Sequence, residues 1–381
     1  MKVLFILNTF NFFFSHRREL GEALLSRGYE VHILASGDIP AGAHDSPFKF
    51  HSYACSKPTL NPITELWSFL TIFFVMAKVR PTLVHLITLK PHLYGLLSAR
   101  FLGVPVKVVA LAGRGNLASG RLMGAVRNLL EFAYKAVIYR QKIGVVVQNS
   151  SDYRYVADHW RVTPQSIIRT RGSGVSLDLF ARSLDQDCRE PLKCVFVGRL
   201  LKAKGVRDFI EVARELSADR VQFLIAGEPD PNNSDSVGVK EIEEACNEVT
   251  NLTYLGRVED ITNLLRGDVI TLFPSYYGEG IPKVLLESAA AGVPVVTTDN
   301  PGCAEAVIDG ETGIVCRAGD VASYVDSVAR LVEDFSLRQR LGSAARDLAE
   351  KEFGVDRVVA QHLSLYDRML FETSNLPASV D

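Results

Sequence analysis

Two carboxylates separated by seven residues are the feature of this sequence with the clearest chemical potential. Glu279 lies in a stretch that contains glycine, and Glu287 follows in an Ala-rich segment that leads into the apolar run from Val293 to Thr297. The pattern predicts a loop followed by a helix that begins near Pro282. The start of a helix presents unpaired backbone N–H groups and the positive end of the helix dipole, which favour a diphosphate. The same pattern also fits a capped amphipathic helix with its glutamates at ordinary surface positions.

A basic pair precedes these carboxylates in the chain. Arg199 and Lys204 lie in the stretch from Gly198 to Gly205, between a predicted strand and a predicted helix. A guanidinium can bond two phosphate oxygens at once, whereas an ammonium acts as a compact point charge. The pair is therefore chemically suited to bind phosphate oxygens.

The two segments together resemble the retaining glycosyltransferases of family 4, which are nucleotide-sugar enzymes of GT-B architecture. Glu279 and Glu287 match the E-x7-E signature, and the basic stretch matches the G-R-x4-K-G element. The resemblance implies that Glu279 is catalytic and faces the donor sugar, and that Glu287 holds the ribose. Further residues implied in donor binding are Gly280, Ile281, Pro282, Lys283, Arg257 and Val258.

The N-terminal half has a narrower resemblance. The stretch from Asn11 to Arg18 resembles the F-x-S-H-R element of a bacterial subgroup that builds polyprenyl-diphosphate-linked glycans. It implies a UDP-sugar donor, such as a UDP-linked N-acetylhexosamine, and a polyprenyl-diphosphate-linked saccharide as acceptor. His16 and Arg18 would bond a sugar or a phosphate, although the same residues could simply cap the predicted helix. The acceptor-binding candidates are Arg18, Lys90, Gly113 and Arg114.

Two positions depart from the family pattern. Many members have a Gly-Gly loop after the first strand, where this chain has the stretch from Asn8 to Asn11. Many also have a histidine after the fourth strand, where this chain has Ala112. A usual contact to the donor sugar is then missing, and His16 is the candidate catalytic replacement.

Charge is divided unequally along the chain. Residues 1–172 hold 21 Lys/Arg against 9 Asp/Glu, while residues 173–381 hold 21 against 35, and the stretch from Leu66 to Leu130 has no acid. Such a field attracts phosphate groups, anionic lipid headgroups or nucleic acid, and a solvated basic face is the alternative. Given the resemblance, we expect an anionic membrane surface as partner and no nucleic acid.

The elements that position these residues alternate between short apolar strands and amphipathic helices. This order predicts parallel sheets covered by helices on both faces. We predict an α/β protein of GT-B type with two Rossmann-like, doubly wound domains that face a central crevice. Residues 1–172 form the acceptor domain and residues 173–354 the nucleotide-sugar domain. The resemblance implies that residues 355–381 provide a helix that crosses back to the first domain.

Two segments could contact a membrane. The segment from Ile63 to Lys78 has an uncharged core that is shorter than the roughly 20 residues of a membrane span. We expect this helix to be buried against the sheet, the alternative being a surface helix with Trp67 and Phe69 exposed. The basic segment from Arg121 to Arg140 is the better candidate for membrane contact. The N-terminus does not have the pattern of a signal peptide, so we expect a cytoplasmic protein peripheral to the inner face of the membrane.

Other motifs are weaker. The six cysteines show no metal-binding spacing, and we expect no metal and no cofactor. Asp185 and Asp187 form a D-x-D string that we interpret as a solvated linker. The glycines between Gly113 and Gly120 do not have the spacing or the position of a dinucleotide-binding fingerprint. Alternative functions are a UDP-sugar 2-epimerase of the same architecture, a transferase with a soluble acceptor, and a two-domain binding protein.

Overall fold

The chain divides into two compact units, seen here in a computed structural model. The structure describes residues 1–39, 41–53, 62–111, 113, 134, 136–138, 141–160, 162–180, 192–216, 219–231 and 233–374. The first unit contains Met1–Ser173 and the chain from Asp356 onward, and the second contains Gly174–Val355. Each unit is built on its own parallel sheet.

In the described part of the first unit, seven strands form one sheet in the order β3-β2-β1-β4-β5-β6-β7. The strands are β1 Lys2–Thr9, β2 Glu30–Ser36, β3 Lys49–Tyr53, β4 Leu83–Ile87, β5 Val106–Leu111, β6 Gly144–Val147 and β7 Ile167–Arg169. The helices between them are α1 Phe10–His16, α2 Arg18–Ser26, α3 Pro62–Val79, α4 Leu89–Phe101 and α5 Ser150–His159. The central strands β1 and β4 are buried over most of their length because helices cover both faces of the sheet.

In the described part of the second unit, six strands form a sheet in the order β10-β9-β8-β11-β12-β13. The strands are β8 Leu192–Val197, β9 Val221–Ala226, β10 Leu252–Gly256, β11 Val269–Phe273, β12 Val295–Thr298 and β13 Gly313–Cys316. The helices are α6 Val206–Glu215, α7 Val239–Glu248, α8 Ile261–Leu264, α9 Lys283–Ala291, α10 Pro301–Ala304, α11 Val321–Glu333 and α12 Phe335–Leu348.

Both sheets reverse their direction of winding at one point. Strands β1, β2 and β3 follow one another toward one edge, and β4 then pairs with the other side of β1. In the second unit β11 pairs with β8 in the same way, while β9 and β10 lie on the opposite side. In open parallel sheets, ligands bind outside the carboxyl ends of the strands at such a switch point. The expectation of two Rossmann-like parallel-sheet domains is confirmed.

The last helix, α13 Val355–Ser374, begins at the end of the second unit and packs on the first. Leu365, Tyr366 and Met369 are buried in the same cluster as Phe5 of β1. Arg27, the residue after α2, also pairs with Asp367 at 3.1 Å.

Three local expectations differ from the structure. We expected one helix to begin at Arg17, but two helices meet there, because Arg17 has a non-helical backbone with φ −137° and ψ 0°. Strand β3 was not expected, since the sequence Lys-Phe-His-Ser-Tyr at the sheet edge lacks a continuous apolar run. Helix α3 was expected to be buried, and this is wrong for one face, where Trp67 is exposed while Phe69 is half-buried.

Some sequence predictions lie outside the described residues. These are Arg114, Ala112, Asp185, Asp187 and nearly all of the basic segment from Arg121 to Arg140. Within the described residues, no helix has both the length and the apolar character needed to cross a membrane.

Candidate active site

Glu279 is held by two polar side chains that come from the switch point of the second sheet. Its Oε2 atom lies 2.8 Å from Nζ of Lys204, and its Oε1 atom accepts a hydrogen bond of 3.0 Å from Ser275 Oγ. Lys204 follows β8 and Ser275 follows β11, which are neighbouring strands. Both members of the ion pair are largely shielded from water, with side chains 11% and 16% exposed. The sequence elements predicted to hold sugar and diphosphate are therefore in direct contact.

Glycines allow the loops around Glu279 to approach one another closely. A Cβ atom on Gly302 would lie 1.9 Å from the carbonyl oxygen of Gly280 and 2.7 Å from that of Glu279. Gly205 has φ +80°, and a Cβ atom there would lie 2.3 Å from the carbonyl oxygen of Pro274. Any larger residue would push these loops apart, so both glycines fix the position of Glu279.

Arg199 and Lys204 are brought to the same aromatic ring. The Cζ atom of Arg199 lies 5.9 Å from the ring centre of Tyr277, and Nζ of Lys204 lies 6.0 Å from it. Arg199 is about half exposed and also pairs with Asp230 at 2.7 Å. Both cations thus lie within about 6 Å of the ring of Tyr277, a residue that was not among those predicted from the sequence. Its position two residues before Glu279 was the available signal.

Glu287 lies in the second turn of α9, as the sequence predicts. Its carboxylate is 3.6 Å from Nζ of Lys283, which is longer than a hydrogen bond. Burial raises the pKa of Glu287, because a low-dielectric environment disfavours the charged form, and the nearby Lys283 opposes this shift. A carboxylate that is largely shielded from water, with its side chain 13% exposed, and that has spare acceptor capacity is suited to bond the hydroxyl groups of a sugar.

The other candidate donor-binding residues lie immediately before α9 and in the loop after β10. Gly280, Ile281 and Pro282 are buried, and Pro282 is the N-cap residue of α9 without a side-chain cap. The first N–H groups of α9 therefore donate no hydrogen bond to the cap side chain. In the loop after β10, Arg257 is exposed and Val258 is half-buried.

His16 lies at the end of α1 and not at the start of a helix, which corrects the expectation. Its ring stacks on Phe12 with centres 4.3 Å apart, and its Nδ1 atom is 2.6 Å from Ser15 Oγ. Arg18 is exposed at the start of α2 and pairs with Glu22 at 2.8 Å. His16 therefore lies at the end of the helix that follows β1, one of the two strands at the switch point of the first sheet.

Arg17 is the residue of this motif that the sequence analysis overlooked. Its guanidinium is buried, and Nη1 donates to the carbonyl oxygen of His16 at 2.8 Å. Burial lowers the pKa of Arg17 to about 10, while Tyr366 and Glu19 act in the opposite direction. The signal was available, because Arg17, and not Arg18, occupies the arginine position of F-x-S-H-R.

Strand β4 ends in a strained residue beside β1. Thr88 has φ +74° and ψ 162°, a backbone conformation that only glycine adopts readily, and its Oγ1 donates to Asn8 Oδ1 at 2.8 Å. Strain of this kind is concentrated at functional sites. Lys90 follows in α4 and pairs with Glu65 at 2.5 Å. Gly113 has φ +94° just beyond β5.

Comparison with known families agrees with this arrangement. Residues 188–348 match the family described as Glycosyl transferases group 1, and residues 2–141 match the family described as Glycosyl transferase 4-like. The two matches fall on the second and the first unit and together cover most of the chain. The chain is a GT-B glycosyltransferase. The family resemblance stated from the sequence is thereby confirmed.

Curated relatives cover this glycosyltransferase over nearly its whole length. It is 25% identical over 388 residues to the N,N'-diacetylbacillosaminyl-diphospho-undecaprenol alpha-1,3-N-acetylgalactosaminyltransferase of Campylobacter jejuni, with 97% of this chain and 99% of the relative covered. It is 23% identical to the capsular polysaccharide biosynthesis glycosyltransferase CapM of Staphylococcus aureus, with 92% of this chain and 93% of the relative covered.

Solved structures share the fold of this glycosyltransferase. Sucrose-phosphate synthase from Thermosynechococcus elongatus has a TM-score of 0.79 at 19% identity, covering 98% of this chain and 99% of that one. HepE of Anabaena, solved in complex with UDP and glucose, has a TM-score of 0.78 at 16% identity, covering 97% and 100%. The likeness concerns architecture, since the sequences are distant.

Proposed function

We propose that this glycosyltransferase moves an N-acetylhexosamine, such as N-acetylgalactosamine, from a UDP-sugar to a polyprenyl-diphosphate-linked saccharide, with retention of anomeric configuration and without a metal ion. The contact between Lys204 and Glu279 carries the proposal. It joins a cation suited to a diphosphate with a carboxylate suited to a sugar, at the switch point where a ligand is expected.

In this proposal the donor is bound by charged side chains in the segments that follow β8 and β11. Arg199 and Lys204 neutralise the diphosphate, and the N-terminus of α9 adds backbone N–H groups to the same task. Glu287 accepts hydrogen bonds from the ribose. Glu279 orients the sugar and stabilises the positive charge that develops near the anomeric carbon.

In the chemical step the bond between the anomeric carbon and the UDP oxygen breaks. A hydroxyl group of the acceptor forms the new bond on the same face of the sugar, and its proton goes to the departing phosphate. The leaving group then acts as the base, so the protein needs no separate one. We propose that His16 supplies the polar contact to the donor sugar that a different histidine supplies in many family members.

The acceptor proposal draws on the N-terminal half. Support comes from the basic composition of residues 1–172 and from the similarity over almost the whole chain to a transferase whose name specifies a diphospho-undecaprenol substrate. Arg18, Lys90, Gly113 and Arg114 are the proposed acceptor-binding residues. We propose that the enzyme works in the cytoplasm, peripheral to the inner face of the membrane.

The proposal is tested by mass analysis and proton NMR of the products formed from a panel of UDP-sugars and a lipid-diphosphate saccharide, with EDTA present. Transfer of one N-acetylhexosamine in the α-configuration is the expected result. Release of an isomerised UDP-sugar without transfer would instead indicate an epimerase. Activity that EDTA abolishes and manganese restores would contradict the metal-independent step, and equal turnover on a soluble acceptor without lipid and diphosphate would contradict the acceptor.

A further inference from the structure

Helix α3 is apolar on two opposite faces, and within the part of the chain that the structure describes only one of them is covered. Consecutive residues of an α-helix are rotated by about 100°, which places Ser68, Ile72, Met76 and Val79 on one side. These four side chains are buried, at 0–3% exposure. The opposite side carries Ile63, Leu66, Trp67 and Phe74, which are 67%, 56%, 64% and 64% exposed. We refer to these four residues as the α3 outer face.

An outer face of this kind is unusual for a helix in water. Surface helices normally place polar residues opposite their buried stripe, and a contiguous exposed apolar patch marks an interaction site. The orientation of α3 is fixed, because Glu65 in its first turn accepts hydrogen bonds from Lys90 at 2.5 Å and from Tyr94 at 2.6 Å on α4. The only acid of the helix is thus engaged on the side of α4.

The charges near the α3 outer face are positive. Lys78 and Arg80 are exposed at the C-terminal end of α3, and Arg100 is exposed beside Phe101, itself 71% exposed, at the end of α4. Both helices end where the parallel strands of the first sheet begin, because α3 leads into β4 and α4 leads into β5. Between Leu66 and Leu111 the sequence contains no acid.

We propose that the α3 outer face docks on an anionic lipid bilayer. Helix α3 would lie flat on the surface, with Trp67 and Phe74 inserted at the level of the headgroups and with Lys78, Arg80 and Arg100 against lipid phosphates. An apolar face with an interfacial tryptophan and flanking bases is the composition of helices that lie on membranes. The surface deepens the proposed function, because it would bring the first unit to a lipid-linked acceptor, and it rests on that function for its purpose.

Tryptophan fluorescence tests this surface without altering it. The sequence has two tryptophans, Trp67 and Trp160, and Trp160 is buried. In a Trp160→Phe variant the emission therefore reports on Trp67 alone. Vesicles of phosphatidylglycerol and phosphatidylcholine should shift this emission to shorter wavelength, and lipids brominated in the acyl chain should quench it. Absence of both effects would overturn the proposal.

Substitutions provide the second test. Trp67→Glu combined with Phe74→Glu should weaken sedimentation with the same vesicles by about tenfold or more, because binding scales with the buried apolar area. The matched control is Phe371→Glu, a similarly exposed aromatic on α13, which should sediment as the unaltered protein does. Equal binding of the double variant would overturn the proposal. So would a fluorescence shift that grows with protein concentration in the absence of lipid, since a second copy would then cover this face.

The same variants separate this proposal from the proposed function. Transfer to a water-soluble, short-chain acceptor diphosphate should be unchanged in the double variant, because the α3 outer face contains no residue of the candidate active site. Vesicle binding without any transfer would count against the proposed function alone. Transfer without vesicle binding by the unaltered protein would count against the docking surface alone.

Discussion

Lys204 and Glu279 form an ion pair in which each partner is assigned to a different part of the donor. Their side chains meet at 2.8 Å, largely shielded from water. A diphosphate that binds Lys204 must therefore compete with Glu279 for the same ammonium, and its negative charge is repelled by the same carboxylate. This competition predicts opposite effects on UDP binding when Lys204 and Glu279 are replaced in turn.

Replacing Lys204 by Ala should weaken UDP binding by about 1.5–3 kcal/mol, the range for a hydrogen bond to a charged group. Replacing Glu279 by Gln should have the opposite effect on UDP, with equal or tighter binding, while turnover falls strongly. Calorimetry with UDP and steady-state kinetics measure both quantities. Weaker UDP binding by the Glu279→Gln variant would contradict the competition, and unchanged binding by Lys204→Ala would remove the diphosphate role.

Arg199 can be tested against a closely matched arginine. Arg199 and Arg207 are both 49% exposed, and each pairs with one carboxylate, Asp230 and Glu241 respectively. If Arg199 binds the diphosphate, Arg199→Ala should reduce UDP affinity by about tenfold or more. Arg207→Ala should leave it within about twofold, as is usual for an exposed ion pair. Equal losses in the two variants would point to a general charge effect and not to a site.

Replacing Glu287 should change the preference of the protein for nucleotides that carry ribose hydroxyl groups. Its buried carboxylate is expected to accept hydrogen bonds from the 2′- and 3′-hydroxyl groups, so the unaltered protein should bind UDP more tightly than 2′,3′-dideoxy-UDP. Glu287→Gln should reduce this difference by about tenfold, because hydrogen bonds to a charged acceptor are the stronger ones. The dideoxy nucleotide serves as the internal control. A preference for UDP that is the same in both proteins would exclude Glu287 from the ribose contact.

The contrast between predicted and overlooked features has a physical basis. Strand β11 and helix α9 were predictable, because the former is a short run rich in apolar and β-branched residues and the latter follows a proline and carries the second glutamate of the E-x7-E signature. The contact between Lys204 and Glu279 was not, since it depends on β8 and β11 being neighbours, and strand order is a tertiary property. Arg17 was overlooked because helical periodicity does not indicate where a helix breaks.

The exposed face of α3 was misjudged for a related reason. Its sequence is apolar on two opposite faces, and the second face of such a helix is either enclosed by protein or placed against lipid. Periodicity does not distinguish the two cases, and only the exposure of Trp67 and Phe74 in the structure does.

The stability of the protein in acid should depend on two buried histidines, His362 of α13 and His85 of β4. His362 is 1% exposed, and burial lowers its pKa to about 3; His85, whose ring stacks on it with centres 5.7 Å apart, also has a lowered pKa because of burial. The unfolded chain therefore binds protons that the folded chain does not, from about pH 6.5 down to about pH 3. The stability that these neutral histidines contribute is fully present above the pKa of histidine in the unfolded chain, and it is lost as the pH falls through this window.

Replacing His362 by Gln should remove one of the groups that bind a proton in the unfolded chain but not in the folded chain. The slope of unfolding free energy against pH between pH 6 and pH 4 should then become shallower by about 1.4 kcal/mol per pH unit, the value for one proton. His159→Gln is the matched control, because its Nδ1 atom makes the same contact with a carbonyl oxygen four residues earlier, 2.9 Å against 2.8 Å, but on an exposed surface. Urea unfolding across this pH range gives the slopes. If His159→Gln flattens the curve as much as His362→Gln, or if neither does, burial under α13 is not the source of the acid sensitivity.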